Sequence, residues 1–109
     1  MPMITAAERR KHLKSLIDAG QTLIVPGAFD AISAKLIEQA KFPAVYVGSF
    51  ATAASRLGQP DVGVSTLDDL VNHARSVVDS VSVPVIADAE GGLNRAANLW
   101  RTIEAFEQA

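Results

Sequence analysis

The chain of 109 residues has no cysteine. That excludes a disulfide framework, a thiolate metal site and a nucleophilic Cys within it. It has almost no excess of charge, with 10 Lys and Arg against 12 Asp and Glu and a formal net charge of -2. Such a balance gives no electrostatic footprint for nucleic acid or for an anionic membrane surface. No apolar run approaches the roughly 18 residues that a bilayer span requires. Met1 to Leu16 is charged and polar where a signal peptide needs an apolar core. Low-complexity stretches and interdomain linkers are also missing. What is present is 49% hydrophobic and 20% charged, the balance of a globular protein rather than a disordered tail, a coiled coil or a fibre. These features point to a cytoplasmic protein whose residues 1–109 belong to a single domain. A chain of this length buries about two-thirds of its unfolded surface.

Hydrophobic spacing predicts alternating strands and helices. Thr5 followed by Glu8 is a capping box that opens a helix with an apolar stripe of Leu13, Leu16 and Ile17, and Gly20 ends it. Leu23, Ile24 and Val25 form a short apolar run stopped by Pro26 and Gly27. Asp30 can cap a helix carrying Ile32, Leu36 and Ile37. Ala44, Val45, Tyr46 and Val47 read as a second strand. Thr66 opens a second repeat helix whose buried face holds Leu67, Leu70, Val71, Ala74, Val77 and Val78. A third strand runs from Val83 to Ala87. Asn94 can cap a third helix with Leu99, Trp100, Ile103 and Phe106 on its core stripe. Strands apolar on both faces, separated by amphipathic helices, are the pattern of a parallel sheet covered by helices. The fold class is α/β.

The long connection from Gly48 to Val64 follows the carboxyl end of the second strand, where parallel α/β folds place their ligands. Asp88 and Glu90 stand at or just past the end of the third strand, beside Gly91 and Gly92. Residues i and i+2 of an extended segment share a side, so both carboxylates can face one site. Hard oxygen ligands suit Mg2+, which takes one or two carboxylates and keeps several waters; alternatively, one of the pair caps the next helix. Asp61 is either a third site acid or an ordinary turn residue after Pro60. Gly48 and Ser49 can present backbone N–H groups to an anion. Tyr46 either lines the site or packs in the core. His12 and His73, on helices away from the strand ends, read as surface or packing residues.

Four segments carry a resemblance: Val25-Pro26-Gly27-Ala28-Phe29-Asp30-Ala31, Val45-Tyr46-Val47-Gly48-Ser49, Leu57-Gly58-Gln59-Pro60-Asp61 and Pro84-Val85-Ile86-Ala87-Asp88-Ala89-Glu90. In order and spacing they resemble the isocitrate lyase and phosphoenolpyruvate mutase superfamily, from about Leu13 to the last residue. The short-chain members, among them methylisocitrate and dimethylmalate lyases, oxaloacetate-cleaving enzymes and phosphonomutases, are the most similar. The resemblance implies a (β/α)8 barrel with its site at the carboxyl face, Mg2+ as cofactor and a small 2-oxo or 2-hydroxy acid as substrate. By the same resemblance Asp88 matches a metal-site Asp and Glu90 stands where a second Asp is usual. Asp61 matches the loop Asp that orients water and substrate. Tyr46, Gly48 and Ser49 lie on the segment that holds the substrate carboxylate.

This chain departs from the family pattern twice. It has Gly48-Ser49 where Ser-Gly is common, and Glu90 where Asp is common. The Glu side chain is longer by one carbon–carbon bond, about 1.5 Å, so the metal shifts, a water intervenes, or the substrate differs. A full barrel needs about 250 residues, and three parallel strands with no fourth leave a sheet edge open. The expectation is therefore the N-terminal part, a leading helix and about three β/α units, of a longer enzyme or a broken gene product, inactive alone. The activity implied is that of a Mg2+-dependent carbon–carbon lyase of the methylisocitrate lyase type. A phosphonomutase or oxaloacetate-cleaving enzyme is the nearest alternative, and a non-catalytic α/β binding module is the alternative of another class. Expected partners are the small carboxylate substrate and, at full length, further copies of the same chain, with no nucleic acid and no membrane.

Overall fold

Thr5 begins the first helix, α1 (Ala6–Asp18). Its hydroxyl accepts the Glu8 N–H at 3.2 Å while the Glu8 carboxylate accepts the Thr5 N–H at 2.7 Å. Gly20, at φ +75°, takes the left-handed turn that ends it. Leu13 and Leu16 are half-buried, while Ile17 is exposed. In the computed structural model, which describes residues 3–91 and 98–109, two arginines fasten α1 to distant helix ends. Arg9 donates to the Val78 carbonyl at 2.9 Å and Arg10 to that of Glu107 at 2.8 Å. Both carbonyls lie in final helical turns, where a cation complements the helix dipole.

Asp30 starts α2 (Ala31–Gln39) by accepting the Ser33 N–H at 2.8 Å, and the Ser33 hydroxyl returns by accepting the Asp30 N–H at 3.1 Å. Near the other end of this helix the Glu38 carboxylate accepts the N–H groups of Ser82 at 2.7 Å and Val83 at 3.0 Å. Thr66 and Asp69 form a third reciprocal cap at the start of α4 (Leu67–Ser80), with Leu70, Val71, His73, Ala74 and Val77 buried.

Two strands, β1 (Val45–Val47) and β2 (Val85–Ala87), pair in parallel with Val45 opposite Val85, Tyr46 opposite Ile86 and Val47 opposite Ala87. The first apolar run contributes less than its composition predicts. Residues 23–25 make no ladder, and contact is limited to a bridge between Gly27 and Tyr46. There the Tyr46 N–H donates to the Pro26 carbonyl at 2.9 Å and the Ala28 N–H to the Tyr46 carbonyl at 2.8 Å. Pro26 has no N–H to offer a neighbouring strand, and Asp30 turns the chain into α2 four residues later.

The Gly27 segment and β2 thus flank β1 on its two sides, both parallel to it. Val45 and Val47 turn inward to a core with Ala28, Ala34, Val77 and Val81, against which Ile37, Val83, Val85 and Ala87 pack. Strand alternation places Tyr46 and Ile86 on the opposite face, where they remain 38% and 37% exposed. In a barrel of parallel strands that opposite face is the interior.

Two further expectations need correction. Residues 48–64 are not a plain loop: Gly48 starts a short helix, α3 (Ser49–Thr52), which widens into a π-helical turn over Ala53–Leu57. The local run is rich in alanine, the best helix former. In the last helix, α5 (Leu99–Gln108), Thr102 is the buried residue, while Trp100 is 63% and Ile103 58% exposed. Among the described residues α5 packs mainly on α4, and the Trp100 side of its stripe is left exposed. Asn94, expected to cap this helix, lies outside the described residues, as does Gly92. Asn98 precedes α5 without a side-chain cap bond. Among the described residues no helix is long and apolar enough to cross a membrane.

Candidate functional site

The Asp88 N–H donates to the Val47 carbonyl at 2.9 Å, extending the pairing of β1 and β2 by one residue past Ala87. Asp88 therefore continues the face that bears Ile86 and Tyr46. One of its carboxylate oxygens accepts the Glu90 N–H at 2.7 Å, the local turn that Asp side chains favour. Glu90 itself has φ +53°. This left-handed residue ends the strand alternation, so the two-residue spacing by itself does not put both carboxylates on one side. Their charges nevertheless converge on Tyr46. Its phenol is held above its ordinary pKa by desolvation first, then by the charge of Asp88, a hydrogen bond with Asp88 and the charge of Glu90. A phenol so placed keeps its proton and acts as a donor. The ring lies so close to the following backbone that a Cβ on Gly48 would stand 3.1 Å from its Cε1. Any side chain at 48 would require the ring to give way by a few tenths of an ångström.

The second cluster forms where α3 begins. Ser49 is 8% exposed, and its hydroxyl donates to an Asp61 carboxylate oxygen at 2.8 Å. Twelve residues separate them, and the chain is turned back between them by the π-helical segment and by Gly58 at φ +62°. The Gly58 N–H donates to the Ala54 carbonyl at 3.1 Å and the Gln59 N–H to that of Ala53 at 3.2 Å. At the foot of α3 the Gly48 carbonyl accepts both the N–H and the hydroxyl of buried Thr52, at 3.1 and 2.8 Å.

The structure thus gathers Tyr46, Asp88 and Glu90 into one group and Ser49 with Asp61 into another, with Gly48 between them. Among the described residues no group of three or more His, Cys, Asp or Glu side chains is placed to hold a metal ion. The donor chemistry of Asp88 and Glu90 is all oxygen, with one Asp88 oxygen already turned to the Glu90 N–H. Two carboxylates of this kind fit an ion that keeps several of its waters, as Mg2+ does. His12 is exposed, whereas His73 is buried and its Nε2 lies 2.8 Å from the Phe29 carbonyl. This contact braces the Gly27 segment beside Tyr46. No local motif announces it, because the partners are 44 residues apart.

The family model described as phosphoenolpyruvate phosphomutase matches residues 13–109. The 2,3-dimethylmalate lyase of Eubacterium barkeri is 42% identical over 107 residues, covering 98% of this chain and 36% of that protein. A crystal structure of oxaloacetate acetylhydrolase superposes with a TM-score of 0.85 at 30% identity, across 92% of this chain and 36% of that one. A phosphonopyruvate hydrolase, solved in complex with oxalate and Mg2+, superposes with a TM-score of 0.84 at 25% identity, across 92% and 35%. The chain spans about a third of the length of these relatives.

Proposed function

Since the chain belongs to the isocitrate lyase and phosphoenolpyruvate mutase superfamily, we propose that it supplies the amino-terminal β/α units of a Mg2+-dependent carbon–carbon lyase. Its substrate class would be a small 2-hydroxy or 2-oxo di- or tricarboxylate. The observation that carries this reading is the place of Asp88, joined to Val47 just past the end of β2 and bonded to the Glu90 N–H, beside Tyr46 at the carboxyl end of the paired strands. The lyase reaction named for the Eubacterium barkeri relative supports the reaction class, and the oxalate and Mg2+ of the hydrolase complex support the cofactor.

In this reading Asp88 and Glu90 hold Mg2+ directly or through water, and the bound ion supplies Lewis-acid polarisation of substrate oxygens as negative charge develops. Tyr46 keeps its proton in the hydrogen bond with Asp88 and so orients that carboxylate beside the substrate. Backbone N–H groups following Gly48, which have no partner within the first turn of α3, receive the substrate carboxylate. Asp61 orients solvent and substrate with the oxygen that Ser49 does not occupy. The site residues act together only where further strands close the barrel, so the chain by itself is inactive in this proposal. A cytoplasmic location and a homo-oligomeric full-length enzyme complete it.

The test is a graft. This chain replaces the matching third of the Eubacterium barkeri 2,3-dimethylmalate lyase, and the hybrid is assayed with and without Mg2+ on 2,3-dimethylmalate, 2-methylisocitrate and oxaloacetate. Mg2+-dependent cleavage of at least one is expected. A folded hybrid that cleaves none of them refutes the lyase reading. The name of the matching family favours one second reading, a phosphonomutase. Interconversion of phosphoenolpyruvate and phosphonopyruvate by the same hybrid, without cleavage of the three acids, would select it.

A further inference from the structure

We infer that Ser49 is a positioning residue for Asp61: its hydroxyl holds the carboxylate in one orientation and is not free to bind the substrate. The inference rests on the lyase reading for what Asp61 does, but the hold itself is a property of the fold. A serine hydroxyl has a single proton to donate, and here it is committed to Asp61 at 2.8 Å. A substrate anion needs donors, so the Ser49 side chain has none left for it. A hydroxyl bound to a carboxylate makes a charge-assisted bond, roughly twice as strong as a neutral one. Ser49 itself is 8% exposed, so the donor end of the bond is largely withdrawn from water.

Asp61 needs such a hold because little else fixes it. It is exposed, and Val62 beside it is 72% exposed. Among the described residues, the Ser49 bond is the only side-chain hydrogen bond made by residues 59–64. The backbone there contributes the Gln59 bond to Ala53 and a short turn from the Val62 N–H to the Pro60 carbonyl at 3.0 Å. Ser49, by contrast, is anchored in the first turn of α3, directly after the strand that carries Tyr46. The hydroxyl therefore transmits the placement of β1 to a carboxylate on an exposed turn twelve residues away. Aligning one oxygen with Ser49 also sets the direction of the other, which orients solvent.

The experiment has two arms. In the 109-residue chain, three-bond NMR couplings to the Asp61 carboxyl carbon should report one χ1 rotamer in the parent and in S49T, which keeps the hydroxyl. They should report averaged rotamers in S49A. In the grafted lyase, S49A should lower kcat about tenfold, as misplacement of a catalytic group does, with KM unchanged, and S49T should restore most of it. In a D61A background the same S49A change should have no further effect, because residues acting through one another are not additive. Unchanged couplings in S49A overturn the hold. A raised KM at intact kcat, or losses that multiply with D61A, overturn the positioning role and return the hydroxyl to substrate binding. A graft without lyase activity removes the function assigned to Asp61, while the couplings still decide whether Ser49 orients it.

Discussion

The two faces of the β1–β2 pair differ in chemistry by the parity of a residue's position. On the helix side stand Val45, Val47, Val85 and Ala87, closed over by Ala34 and Val77, without a charged or hydrogen-bonding side chain among them. On the other side stand Tyr46 and Ile86, each more than a third exposed, with Asp88 following. Successive side chains point to opposite faces, so one strand residue supports the core while its neighbour serves the site. The division explains how three-residue strands can do both. It implies that substitutions on one face change stability and substitutions on the other change activity.

The largest expected effect tests the site face. Asp88→Ala in the grafted lyase should reduce Mg2+-dependent cleavage more than about a hundredfold, the loss typical of removing a principal electrostatic group. Its melting temperature should stay close to that of the parent hybrid. A large fall in stability would break the division. On the core face, Val77→Ala removes two methyl groups from a fully buried position. It should cost about 2 kcal/mol in urea unfolding, from roughly 0.8 kcal/mol per buried carbon plus a cavity contribution. A much smaller loss would mean that the helix-facing core is loosely filled.

Asp61→Asn should lower turnover by about tenfold or more, the low end for a positioned catalytic group, and leave unfolding unchanged. Undiminished turnover would make Asp61 a turn residue. A smaller effect lies outside both faces: Thr66→Ala removes the α4 cap and should cost about 1 kcal/mol with no change in activity.

The last prediction concerns acid. The Asp30 carboxyl lies below its ordinary pKa chiefly through the backbone hydrogen bond from Ser33, and the Asp69 carboxyl chiefly through that from Thr66. A carboxyl depressed in the folded state adds stability that is present above its unfolded value of about 3.9. That stability is lost as the pH falls through the folded value. The chain should therefore weaken below about pH 4, and the double variant Asp30→Asn, Asp69→Asn should show a shallower decline. An unaltered slope would place the acid sensitivity elsewhere.

Capping explains why part of this was legible in the sequence. Thr5 with Glu8 and Thr66 with Asp69 are partners three residues apart, so their bonds form as soon as the helix does. The order of strands and helices, and the outward turn of Tyr46 between two inward valines, likewise follow from short periodicities. The same local reasoning went wrong where a neighbour decided the outcome. Residues 23–25 have the composition of a strand but pair with nothing, and Trp100 and Ile103 have helical spacing but little cover. At Glu90 a left-handed turn overrode the two-residue alternation that Asp88 still obeys.

By itself, then, the sequence determined the helix starts at Thr5, Asp30 and Thr66, the α/β alternation, the family and the residue types available to the site. Only the tertiary structure decided which of those residues meet. The Ser49 hydroxyl finds Asp61 across twelve residues, Glu38 reaches the turn before β2 across 44, and His73 reaches Phe29 across the same interval. Contacts within one helical turn depend on dihedral angles that each residue favours on its own. Contacts across tens of residues depend on the path of the whole chain, and here that path is set by the packing of α2 and α4 over the two strands and by the reversal at Gly58.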